Sequence, residues 1–142
     1  MGWLVADVGG TNTRCAIARA GEVLEHVETY RNREFPGLEQ VLGTYLGTLP
    51  PGERPVEAIL AIAAPIRGDD IHMVNINWTI SIPALARRLS LTRVTPLNDF
   101  AAQAYALPVL GPADLVQIGG GREVNGAPKV VAMATSPASR PR

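Results

Sequence analysis

Trp3-Leu4-Val5-Ala6-Asp7-Val8-Gly9-Gly10-Thr11-Asn12-Thr13-Arg14 runs from a short apolar segment into a glycine turn and out again. The apolar run reads as a buried strand closed by a turn. Glycines there let backbone amides approach an anion closely and allow positive φ. Successive amides in such a turn make a nest for phosphate oxygens, and Thr11, Asn12 and Thr13 add neutral donors. Asp7 suits Mg²⁺, held through water, because that ion prefers oxygen ligands and keeps its hydration shell. The same residues also suit a plain tight hairpin whose glycines only turn the chain. No Gly-x-x-x-x-Gly-Lys-Ser/Thr pattern and no Gly-x-Gly-x-x-Gly opening a helix are present, so a P-loop and a dinucleotide fingerprint are set aside.

Outward from the turn, Arg14 to Arg19 reads as a second strand and Val23 to Tyr30, alternating, as a third. The first 30 residues form a strand meander on this reading. The period then changes. Leu38, Val41, Leu42, Tyr45, Leu46 and Leu49 fall at helical spacing, and Pro50-Pro51-Gly52 ends the stripe. Val56 to Ala64 reads as an interior parallel strand, stopped by Pro65. Asp70 to Asn75 is a weaker strand, Ile82 to Leu89 a short helix, Arg93 to Leu97 a strand, and Phe100 to Leu107 an alanine-rich helix. Alternating strands and helices after a meander predict a mixed sheet with helices packed on it. Farther on, Asp114 to Ile118 is a possible strand, Gly119 to Gly126 a loop and Lys129 to Ala134 a strand, with Thr135 to Arg142 expected to be disordered.

Composition narrows the function. The 142 residues carry 13 basic and 13 acidic side chains, so no strong basic patch for nucleic acid is expected. An apolar share of 46% with 18% charged residues suits a folded soluble protein. No apolar run reaches membrane-spanning length and no signal peptide opens the chain, so a cytoplasmic protein with no membrane partner is expected. Twelve of the 13 basic residues are Arg. Cys15, the only cysteine, excludes an internal disulfide and reads as a small buried apolar residue. His26 and His72 stand alone and read as surface or structural residues.

Two further clusters carry chemistry. Asn98-Asp99 follows a strand and precedes a helix, which places a carboxylate at the mouth of an α/β sheet. An ordinary helix N-cap explains the same pair. Asn75-Ile76-Asn77-Trp78 offers two amides and an indole for sugar hydroxyls, or else Trp78 is core.

The turn, Ala61-Ile62-Ala63-Ala64-Pro65-Ile66-Arg67-Gly68-Asp69, Asn75-Ile76-Asn77-Trp78 and Asn98-Asp99-Phe100 occur in one order that resembles bacterial glucokinases, of the hexokinase-like, actin-like ATPase superfamily. The resemblance covers about residues 3 to 134. It implies an α/β, ribonuclease H-like mixed sheet with flanking helices, and transfer of the ATP γ-phosphate to the 6-hydroxyl of glucose. The turn Ala6, Asp7, Val8, Gly9, Gly10, Thr11 with Asn12 would match the first phosphate loop, and Asp7 would assist Mg²⁺. Asp99 would be the catalytic base, Asn98 would bind the sugar, and Asn75 would lie near the sugar pocket.

The resemblance also implies a chain more than twice this long. Residues 1–110 would be its first domain, 111–134 the start of a truncated second, and 135–142 a foreign tail where a second glycine-rich loop is due. The expectation is therefore a fragment of little or no activity, with exposed apolar surface. It would dimerise, aggregate, or need its missing C-terminal half as partner. A ROK-type kinase fragment for another hexose or an amino sugar is the second reading. A non-catalytic sugar- or nucleotide-binding remnant, or half of a split protein, is the third.

Overall fold

The computed structural model describes residues 2–20, 23–122, 124 and 126. The expected strand at 129–134 and the tail at 135–142 lie outside them. The chain divides into two units, Met1–Ala102 and Gln103–Arg142.

In the first unit, β1 (Trp3–Val8), β2 (Asn12–Arg19) and β3 (Val23–Arg31) form the expected antiparallel meander. Helix α1 (Leu38–Thr48) follows, then β4 (Glu57–Ile62), the hairpin β5 (Asp70–Met73) and β6 (Trp78–Ser81), α2 (Ile82–Arg88), β7 (Arg93–Asn98) and α3 (Asp99–Ala106). The main sheet has the order β3-β2-β1-β4-β7, and β1, β4 and β7 run parallel. Strands β5 and β6 pair separately. This is the mixed sheet with flanking helices that the strand and helix pattern predicts.

Alternation decides which face is buried. Leu4, Ala6 and Val8 of β1, Cys15 and Ile17 of β2, and Ala58, Leu60 and Ile62 of β4 all point to one face. The α1 stripe Leu38, Val41, Leu42, Tyr45 and Leu46 covers them, and Ile71, Met73, Trp78 and Ile80 of the hairpin extend the same core. Each buried leucine or isoleucine contributes about 1.5–3 kcal/mol relative to exposure. Strand β4 is interior and parallel to both neighbours, as expected, and among the described residues its second face is less covered. Ile59 is 38% exposed, and Val5, Leu24, Val27, Ile59 and Leu97 line a shallow apolar groove on the open face.

Several expectations are corrected. Strand β2 starts at Asn12, two residues early, because Thr13 is already paired with Tyr30 of β3. The alternation read in β3 breaks at a bulge between the pairs Cys15–Glu28 and Ile17–Glu25. His26 takes up the extra residue at φ 51°, and its carbonyl accepts a hydrogen bond from the Tyr45 hydroxyl at 2.9 Å. One residue out of step puts Leu24 and Val27 on the same face. Strand β6 was not anticipated, since four residues between an Asn-rich turn and Pro83 give too little pattern. Both edges of the main sheet are modified: β3 by the bulge, and β7 by Pro96, which lacks an N–H.

In the second unit, Asp114 to Ile118 is not a strand. Pro112–Asp114 is a 3-10 turn, the Gly111 N–H donates to Asp114 Oδ2 at 2.9 Å, and no described segment pairs with residues 115–118. Residues 119–122 form no helix or strand, as expected of a loop.

Cys15 is fully buried, and loss of water around the thiolate pushes its pKa from 9.0 up to about 12. Burial also raises the Tyr45 phenol. Both groups hold their protons more tightly folded than unfolded. Their contribution to stability is complete below about pH 9 and is lost as pH rises toward 12. We expect the urea midpoint to fall between pH 8 and 11, with Cys15 unreactive to a maleimide at pH 8 until urea unfolds the chain. Rapid labelling of the native protein would contradict this burial.

Candidate functional site

The glycine turn sits where β1 hands over to β2. Gly9 N–H donates to the Asn12 carbonyl at 3.0 Å, which closes the turn. A Cβ on Gly9 would meet that same carbonyl oxygen at 3.2 Å, so the position is tight. Neither Gly9 nor Gly10 uses the positive φ that glycine allows. Outside the ladder, the Gly10 and Thr11 amides make no backbone hydrogen bond among the described residues. They remain open as donors.

Thr13, expected to offer its hydroxyl to a ligand, is buried instead. Its Oγ1 donates to Asn32 Oδ1 at 2.8 Å, and Asn32 Nδ2 donates to the Gly9 carbonyl at 2.8 Å. The Asn32 N–H also donates to the Thr11 carbonyl at 2.9 Å. A fully buried asparagine thus ties the 3-10 segment Asn32–Glu34 to the turn at three points. No local pattern marks Asn32; a lone asparagine between two arginines looks like loop.

The remaining predicted residues separate by environment. Ala6 and Val8 are core, so only their backbone can serve the site. Asp7 is exposed and lines a cleft of about 330 Å³ with Gly9, Gly10, Thr11, Asn12 and Arg14. Free backbone donors beside an exposed carboxylate are the donor set that a metal-bound polyphosphate requires. Asn75 stands against the turn: a Cβ on Gly10 would lie 3.6 Å from its Cβ. Trp78 is core, 7% exposed, as one of its two readings held.

Asn98 and Asp99 close β7 and open α3. Asn98 Nδ2 donates to the Ala64 carbonyl at 3.1 Å and to Asp99 Oδ1 at 3.0 Å. The Phe100 N–H donates to Asn98 Oδ1 at 3.1 Å and to Asp99 Oδ1 at 2.9 Å. Asn98 therefore shares the capping that was anticipated for Asp99. Asp99 Oδ2 has no partner among the described residues.

Strand β4 joins the two clusters. Ile62 pairs with Val8 on one side and with Asn98 on the other. Ala63 N–H donates to the Val8 carbonyl at 2.9 Å. The turn and Asn98-Asp99 thus lie at the C-terminal ends of parallel strands, two strand spacings or about 10 Å apart. Glu25, His26 and Glu53 also converge, but Arg19 bridges both carboxylates there. His26 and His72 make only exposed side-chain contacts, to Glu53 and Thr79. No helix among the described residues is long and apolar enough to cross a membrane.

This meander, its parallel extension and the flanking helices are the actin-like ATPase fold of sugar kinases. A crystal structure of glucokinase from an Antarctic psychrotroph superposes with a TM-score of 0.77 at 35% identity, covering 87% of this chain and 40% of that one. A Balamuthia mandrillaris glucokinase solved in complex with glucose shares the fold at a TM-score of 0.59 and 24% identity, over 75% of this chain and 32% of that one. The glucokinase family model matches residues 4–135. The chain belongs to the glucokinase family. The glucokinase of Pectobacterium atrosepticum is 43% identical over 130 residues, and that of Ralstonia nicotianae 41% identical over 133. Each alignment spans 90% of this chain but only 40% and 38% of those relatives. The chain thus spans about two fifths of their length.

Proposed function

We propose that this chain supplies the N-terminal part of an ATP-dependent glucose kinase, with one phosphate loop and the catalytic base. The observation that carries the proposal is the placement of the turn and Asn98-Asp99 on either side of Ile62. The Gly10 and Thr11 amides bind phosphate oxygens of ATP, and Asp7 holds Mg²⁺ through water. The ion, when bound, neutralises charge on the transferred phosphoryl group.

Asp99 takes the proton of the sugar 6-hydroxyl through Oδ2, the oxygen left free by the cap. A carboxylate performs this despite its low basicity because the proton leaves as the oxygen bonds to phosphorus. Asn98 spends both amide hydrogens on Ala64 and Asp99. It fixes the carboxylate and keeps one Oδ1 lone pair for a sugar hydroxyl. Asn75, against the turn, borders the same region. Residues 1–110 are proposed as the first domain and 111–134 as the start of a second, in a protein of the cytoplasm.

Calorimetric titration of the chain with Mg-ATP and with glucose tests the reading. Weak saturable binding of Mg-ATP, lost in Asp7→Asn, is expected, with turnover far below that of a full-length relative, since half the reacting geometry lies outside these residues. Equal binding by wild type and Asp7→Asn would remove the phosphate loop from the proposal.

A further inference from the structure

A cavity of about 720 Å³ opens beside the glycine turn, and Asp7 is not among its lining residues. Thr11, Asn12, Arg31, Arg33, Asn77 and Trp78 are among its lining residues, and no carboxylate lines it. In a chain with as many acidic as basic side chains, that one-sided donor set is a local feature. Arg31 and Arg33 are exposed, and neither forms an ion pair or side-chain hydrogen bond among the described residues. Their backbone is held firmly, because Asn32 between them carries the three hydrogen bonds to the turn.

We infer that this cavity binds a phosphomonoester of sugar size, with its phosphate between Arg31 and Arg33. Each guanidinium presents a planar fork of donors that matches phosphate oxygens. The amides of Asn12 and Asn77 supply neutral donors. Bare phosphate would fill little of the volume, and Trp78 and Phe35 provide an apolar wall for a ring attached to it. The cavity shares Gly10, Thr11 and Asn12 with the ATP loop proposed above, whereas Arg31 and Arg33 line this cavity and not the cleft of Asp7.

Trp78 is a built-in reporter. In a Trp3→Phe background, its fluorescence is followed while the chain is titrated with inorganic phosphate, glucose 6-phosphate or glucose. Saturation by both phosphate compounds, tighter for glucose 6-phosphate, is the expected result, with no response to glucose alone. Arg31→Gln/Arg33→Gln should weaken binding about tenfold or more, the loss of charge-assisted hydrogen bonds. The double Lys variant should recover part of it. Both side chains are exposed, so the urea midpoint should stay at the wild-type value. Asp7→Asn, which alters only the proposed ATP loop, should leave phosphate binding unweakened. Unchanged affinity in the double Gln variant, absence of saturation, or equal loss in Asp7→Asn would each overturn the inference.

Discussion

Asp99→Asn should lower the kcat of glucose-dependent ADP formation by about 10²–10⁴-fold, the usual contribution of a positioned general base. The suitable vehicle is a chimera in which residues 1–134 replace the matching segment of the Pectobacterium atrosepticum glucokinase. Asparagine keeps the side-chain size and one oxygen, so Oδ1 can still accept from Phe100 N–H and from Asn98 Nδ2. The helix cap survives, and what goes is the oxygen that takes the sugar proton. The KM for ATP should change little. A variant within tenfold of the parent chimera would show that Asp99 only caps α3.

The second large effect is structural. Asn32→Ala should destabilise the chain by about 2–4 kcal/mol, because it leaves the buried Thr13 hydroxyl and the Gly9 carbonyl without partners. Asn32→Asp does not repair it, since a carboxylate cannot donate to Gly9 and would be a buried charge. Urea denaturation measures the loss. The turn should also suffer first, so exchange of the Gly9 amide, which donates to the Asn12 carbonyl, should accelerate more than that of Leu60. A change in stability below about 0.5 kcal/mol would place Asn32 among ordinary surface substitutions.

Local pattern carried much of the architecture. Trp3–Val8 and the α1 stripe bury one face each at periods of two and 3.6, and both are legible without a partner in view. Strand β6 and the bulge at His26 are not legible, because they depend on what lies across the sheet. The alternation of β3 assigns Leu24 and Val27 to opposite faces, and only pairing with β2 reveals the extra residue.

The candidate site divides in the same way. The turn and Asn98-Asp99 stand out as separate motifs, each with a bland alternative. Their convergence depends on β4 lying between β1 and β7, a relation among residues far apart in the chain. Asn32 escaped notice because its partners are nonlocal.

The modified edges of the main sheet limit how copies of this chain can meet. A proline in β7 and a twisted, bulged β3 are poor templates for another strand. The groove formed by Val5, Leu24, Val27, Ile59 and Leu97 is apolar and has no such defence. Were copies of this chain to associate, a stacked arrangement, sheet against sheet, would be expected over a continuous intermolecular ribbon. Such a stack would end at two layers and reverse on dilution, whereas a ribbon would propagate into fibres.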